Sequence, residues 1–249
     1  MAHESPSYQH APLLSPAFVW KVTIAIAVLC ALTVLISIAG RMFGRTVVLS
    51  GHTTDETVYE IVIGNDVLAL PANVIRFSAE RVSGVQRSVD TYFAWPGMKG
   101  YSEETRAIFD QTESADGLIF ARVTQATMSR DMSGRFEPIY SRLVEGTPVA
   151  GPSGLVSYRM KQNAGYANEL LYVDAAGGGE PYVVRCLIEG QAEGDFVTRT
   201  GCQRDIHVGE DLSLIYRFSE SLLPHWREIE ADVRARFDTA LAQADINNR

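Results

Sequence analysis

Lysine and arginine are missing from the first 16 residues, and only three cysteines, Cys30, Cys186 and Cys202, occur among 249 residues. The first absence removes the positive n-region of an ordinary secretory signal. The second excludes a Cys-x-x-Cys redox pair and a cysteine-rich zinc site. Nor is there a Gly-x-x-x-x-Gly-Lys-Ser/Thr loop or a His-Glu-x-x-His helix, so neither a nucleotide P-loop nor a zincin is indicated. Gly151-Pro152-Ser153-Gly154 falls one residue short of a nucleophile elbow. Gly177-Gly178-Gly179 lies between strand-like segments and opens no helix, unlike a dinucleotide loop. His3, His10, His52, His207 and His225 have no ligand-spaced neighbours. On these grounds no catalytic residue, metal or cofactor is assigned. Basic residues are also scarce: 22 Lys and Arg stand against 30 Asp and Glu, for a net charge of −8. That balance excludes nucleic acid as a natural partner and disfavours a polybasic lipid-binding patch.

What is present begins with one long apolar run. Val22 to Ala39 contains 18 residues without a charge, and extending back to Ala17 adds only Lys21. A bilayer core of about 30 Å requires roughly 20 apolar helical residues. Residues 17–40 are therefore expected to be a transmembrane helix that partners the lipid bilayer, with 1–16 a disordered tail and 41–249 an extracytoplasmic domain. Trp20 and Lys21 suit one interface, and Arg41 and Arg45 close the other. Two rivals are a cleaved signal, for which Ser37-Ile38-Ala39 offers a small-x-small site, and a buried soluble helix. The flanking charges would place the large domain in the cytoplasm, by a margin of one.

The cysteines point the other way. Tyr182–Ile188 reads as a strand, 189–195 as a turn and Phe196–Thr200 as a returning strand. A hairpin symmetric about Gly194 sets Cys186 opposite Cys202 and Glu189 opposite Arg199. Directly opposed positions permit a disulfide, whose loop of about 15 residues would contribute on the order of 3 kcal/mol. Disulfides persist in oxidising compartments, which favours a periplasmic domain with the N-terminus cytoplasmic.

Short strands dominate the remainder. Thr46–Leu49 is a candidate strand or stalk. Val58–Ile63 and Val67–Leu70 flank the turn Gly64-Asn65-Asp66, and Asn73–Phe77 is a helical turn or strand. Val89–Trp95, Leu118–Thr124, Leu155–Met160, Leu170–Val173 and Ser213–Phe218 are further strands. Ser102 offers a cap for a short helix reaching about Gln111. Residues 222–243 form an amphipathic helix with a stripe of Leu222, Trp226, Ile229, Val233, Phe237 and Leu241. The fold class is α+β: a mainly antiparallel β domain with the C-terminal helix packed on it. Trp95, Met98 and Tyr101 around Pro96-Gly97, with Asn73 and Arg76, form a candidate partner-binding surface or a buried corner. Asp131 and Arg135 are expected to close a loop as an ion pair.

Several segments resemble an uncharacterised family of alphaproteobacterial single-pass inner-membrane proteins. They are Ile63–Leu68, Pro71–Phe77, Trp95–Ser102, Cys202-Gln203-Arg204-Asp205 and the stretch from Tyr216 to Trp226. The resemblance implies a periplasmic domain and no activity. The reading that follows is a membrane-anchored, non-enzymatic envelope protein acting through a protein partner. The alternatives are a tethered envelope hydrolase and a module binding a small ligand or lipid.

Overall fold

The computed structural model describes residues 16–48, 51–111, 115–166, 168–174, 176, 179–188 and 201–247. The chain divides into two compact units, Met1–Ser50 and Gly51–Arg249.

The described part of the first unit is the helix α1, Pro16–Val48. The expected strand or stalk at Thr46–Leu49 is thus replaced, up to Val48, by continued helix. Ala17–Ser37 within α1 is long and apolar enough to cross a membrane. At about 1.5 Å per residue that stretch matches a hydrocarbon core. Its side chains are exposed, Trp20 by 67% and Ile36 by 66%. The hydroxyls of Thr23 and Thr33 donate to the carbonyls of Val19 and Leu29 at 2.9 and 2.8 Å. They are therefore satisfied inside the helix, as an apolar surrounding demands.

The second unit begins with a hairpin, β1 (Val58–Ile63) and β2 (Asp66–Pro71), to which β3 (Gly84–Val85) adds in parallel. The larger sheet has eight antiparallel strands in the order β4-β5-β11-β10-β9-β8-β7-β6. Its edge is β4 (Ser88–Ala94), followed by β5 (Leu118–Gln125). A meander supplies the others: β6 (Val144–Ala150), β7 (Val156–Met160), β8 (Glu169–Val173), β9 (Val183–Leu187), β10 (Cys202–Val208) and β11 (Leu212–Phe218). Two short helices, α2 (Arg106–Phe109) and α3 (Ser141–Leu143), lie in the connections. The chain ends in α4, Trp226–Asn247.

Alternation decides the faces. In β10 and β11 every second residue is buried: Cys202, Arg204, Ile206, Val208 and then Leu212, Leu214, Tyr216, Phe218. These side chains point inward with Ile119, Ala121 and Val123 of β5. Trp226, Ile229, Val233, Phe237, Ala240 and Ala244 of α4 are buried at spacings of three and four. One core joins this stripe, the inner face of the large sheet and Ile61, Leu68 and Leu70 of the small sheet. The expected helix at 222–243 therefore starts later: Glu220–His225 is a 3-10 turn holding Pro224, and α4 follows it.

The two sheets are tied at their turns. Asp66 accepts hydrogen bonds from the backbone amides of Glu210 and Asp211, at 3.0 Å each. Asp211 in turn accepts from the amide of Asn65 at 3.0 Å. Each aspartate thus caps the other hairpin's turn. Cys186 and Cys202 stand opposite each other in β9 and β10 and are joined by a disulfide. The strand carrying Cys202 runs from that residue to Val208. The expected returning strand at 196–200 and the Glu189–Arg199 pair lie outside the described residues.

Candidate functional site

The corner around Pro96 is built for packing. Asn73 is buried in a 3-10 turn, Ala72–Val74. Its side-chain amide donates to the Tyr101 carbonyl at 3.2 Å, and the Tyr101 amide donates to the Asn73 carbonyl at 2.9 Å. Met98 and Tyr101 are 7% and 2% exposed. Asn73, Met98 and Tyr101 therefore present almost nothing to a partner, and this geometry is a buried corner. Trp95 is half-buried; its indole N–H donates to Asp232 of α4 at 3.0 Å and its ring lies against His225. The helix expected from Ser102 to Gln111 is only one turn, Arg106–Phe109. The Ser102 and Thr105 hydroxyls bond each other and the local backbone instead of extending it. Phe109 and His52 pack on Tyr92, and Tyr101 in turn packs on both of them. Burial holds the His52 imidazole below its usual pKa and raises the Tyr92 phenol to about 12.

Arg76 leaves this corner. Its backbone amide bonds the Asp90 carbonyl at the edge strand β4, and its guanidinium lies over the rings of Phe77 and Phe120 at 5.0 and 5.1 Å. It thereby reaches the face of the large sheet opposite α4.

That outer face is covered at both ends and open between them. At one end Tyr92 sits under His52 and Phe109. At the other, the segment after β5 folds back so that Met132 and Tyr140 bury Leu171, Val173 and Val183. Register fixes what lies between. One row runs Phe120, Arg217, Gln203, Arg185 across β5, β11, β10 and β9. The next runs Asp90, Arg122, Ile215, Asp205, and a third Ser88, Thr124, Ser213, His207. From Phe120 to His207 these side chains are half-buried or exposed, whereas their strand neighbours on the inner face are buried, except Gln125 at the end of β5.

The rows are rich in guanidinium groups. Arg122 grips Asp90 with both ends of its fork, at 2.7 and 2.9 Å. Arg185 meets Glu169 at 3.0 Å and lies over the Tyr166 ring. Arg135 pairs with Asp205, correcting the expected Asp131–Arg135 pair. Asp131 instead accepts from the Gly134 amide at 3.1 Å, and its backbone carbonyl receives the Arg135 Nε at 3.1 Å. Beside that pair is an open hollow of about 540 Å³ between Thr127–Arg130 and Arg135–Ile139, with Met128 and Ile139 exposed. The edge strand β6 is exposed along nearly its whole length, but Pro148 and a register break between Glu145 and Val149 blunt it against strand addition.

No family model matches the chain, and no curated protein matches it. Its fold has a solved counterpart. An immunity protein of the Stenotrophomonas maltophilia type IV secretion system is similar over 76% of this chain and 95% of its own, with a TM-score of 0.50 and 18% identity. The iron-regulated outer membrane lipoprotein FrpD of Neisseria meningitidis overlaps 77% of this chain and 96% of its own, at a TM-score of 0.45 and 13% identity. The first likeness shows the fold. Among the described residues no three His, Cys, Asp or Glu side chains are grouped to hold a metal.

The sequence reading missed the open face, although its signal was there. Gln203, Asp205, His207 and Ser213, Ile215, Arg217 alternate with apolar residues at period two.

Proposed function

We propose that this is a membrane-anchored, non-enzymatic envelope protein whose folded domain binds a protein partner on the open face of its eight-stranded sheet. The observation that carries this reading is the asymmetry of the sheet. The inner face is sealed by α4 and the small sheet, while the central strands leave an arginine-rich outer face in contact with solvent. Exposed surfaces that bind proteins are commonly such mixtures of arginine, aromatic and aliphatic groups. The anchor is α1, in the inner membrane, with the N-terminus cytoplasmic and the domain periplasmic. The disulfide supports that side, since a cytoplasmic domain would keep Cys186 and Cys202 reduced. Membership of the uncharacterised alphaproteobacterial family belongs to the same reading. The immunity protein of similar fold is compatible with a binding role and identifies no partner here.

The test is photo-crosslinking in cells. A photoreactive residue at Thr124, on the open face, should give one discrete protein adduct. The same residue at the exposed Glu56, off that face, should give none. No adduct at Thr124, or equal adducts at both, refutes the assignment. Thiol labelling checks the side: Cys186 and Cys202 should label only after reduction and only from outside the cytoplasm.

A further inference from the structure

Arg217 occupies the middle of the open face. It is half-buried, and its Nε donates to the side-chain oxygen of Gln203 at 2.9 Å. The neighbouring arginines are differently placed: Arg122 holds Asp90, Arg185 holds Glu169 and Arg135 holds Asp205. Among the described residues, no carboxylate lies within ion-pair distance of Arg217. Its surroundings make matters worse for its charge. Burial, then the positive fields of Arg122, Arg185 and Arg76, lower its proton affinity, with Asp90 opposing them. A partly desolvated guanidinium among like charges is a cost to the fold. A carboxylate from outside would remove that cost and form two charge-assisted hydrogen bonds with the planar fork. Phe120, its cross-strand neighbour, and Ile215, two residues along β11 on the same face, put apolar surface beside it. The chain as a whole carries −8, so this spot reverses the prevailing sign. An acidic partner would be repelled elsewhere and drawn here, which gives register as well as attraction.

We propose that Arg217 is the recognition centre of the open face and that the partner docks there through a carboxylate-bearing protein segment, with Arg122 and Arg76 on its flanks. This rests on the assignment of that face as the contact, and it adds the chemistry of what is contacted.

The test uses the full chain in an uncharged detergent, with fluorescein-labelled hexaglutamate as probe and anisotropy as readout at low salt. Wild type should bind the probe, and added salt should weaken it. Gln203→Glu places a carboxylate opposite Arg217 while leaving every arginine in place, so it should weaken the probe at least tenfold. Arg159→Gln makes the same change in net charge at an exposed site on β7 and should leave binding within twofold. Unchanged melting of Gln203→Glu would show that lost binding is not lost folding. Failure of wild type to bind, or equal loss in both variants, overturns the proposal. Displacement of the probe by inorganic phosphate at equal charge concentration also overturns it, in favour of a phosphate-bearing ligand. The Thr124 cross-link separates the two assignments. If it persists at full yield in Gln203→Glu cells, the face remains the contact and the acidic docking fails; if it falls with probe binding, both stand.

Discussion

Removing one carboxylate, Glu230, should cost more stability than removing any exposed charge of this domain. Arg204 projects inward from β10 with 3% of its side chain exposed. It meets Glu230 of α4 with both ends of its fork, at 3.0 and 3.1 Å, and its third bond goes to the Val183 carbonyl at 2.8 Å. Tyr216 donates its hydroxyl to the same carboxylate at 2.5 Å, and Arg234 at 2.9 Å. The Arg204 guanidinium lies over Tyr182, whose ring rests on Trp226. Glu230→Ala leaves that cation buried with one carbonyl partner. Breaking a buried pair in this way costs about 3–5 kcal/mol. For a folded unit of this size that corresponds to a fall in Tm of about 10 °C. Urea unfolding followed by tryptophan fluorescence measures it, because Trp226 sits in the cluster. Arg204→Met with Glu230→Met should recover at least half of the loss, since neither charge is then stranded, though the Tyr216 hydroxyl loses its acceptor.

The pH dependence has a definite sign. Burial alone would raise the Glu230 carboxyl, but attraction to Arg204 and the hydrogen bonds from Arg204 and Tyr216 outweigh it and hold its pKa below the usual glutamate value. A carboxylate depressed in the folded state stabilises above its unfolded pKa and loses that contribution as pH falls through its folded one. The stability difference between wild type and Glu230→Ala should therefore be constant above about pH 5 and shrink below the ordinary glutamate pKa of about 4.3. A cost under about 1 kcal/mol at pH 7, or a difference that grows on acidification, refutes the account.

Replacing Cys186 and Cys202 together by alanine should lower unfolding free energy by about 3 kcal/mol, from the chain entropy of the loop they close; urea unfolding with and without reductant measures it, and equal curves refute the link. Gly100→Ala tests whether the corner at Pro96 is packing. An added Cβ would stand 2.7 Å from the Asn73 side chain, which is fixed by its bond to Tyr101. The expected loss is about 1–3 kcal/mol in the same assay, from overpacking. A neutral substitution refutes the buried-corner reading.

Elements with a strong local period were legible in the sequence. The α4 stripe, the Gly64-Asn65-Asp66 turn and the register of Cys186 against Cys202 each depend on spacing within some 20 residues. Pairings across longer separations were not. Arg135 lies four residues from Asp131, yet its side chain bonds Asp205, because the loop folds back over β10. Arg76 is close to Asn73 in sequence, yet their side chains diverge: Asn73 turns into the corner and Arg76 over Phe120. The strand β10 escaped notice because its polar residues occupy alternate positions and dilute its apolar count. The same dilution marks it as a strand with one wet face.

Arg204 and Arg217 show how the domain treats cations on its two faces. Register sets Gln203 opposite Arg217 and Arg204 opposite Tyr216, so the two arginines occupy neighbouring positions with opposite orientation. The inward one has every need met within the fold: a carboxylate, a carbonyl and an aromatic face. The outward one has an amide oxygen. A sequence that can place Glu230 against one guanidinium has the means to place an acid against the other, and position 203 is where it would go. Glutamine there satisfies one N–H and leaves the charge available. That difference, on adjacent strands of one sheet, is why the open face is the place to look for a partner's carboxylate.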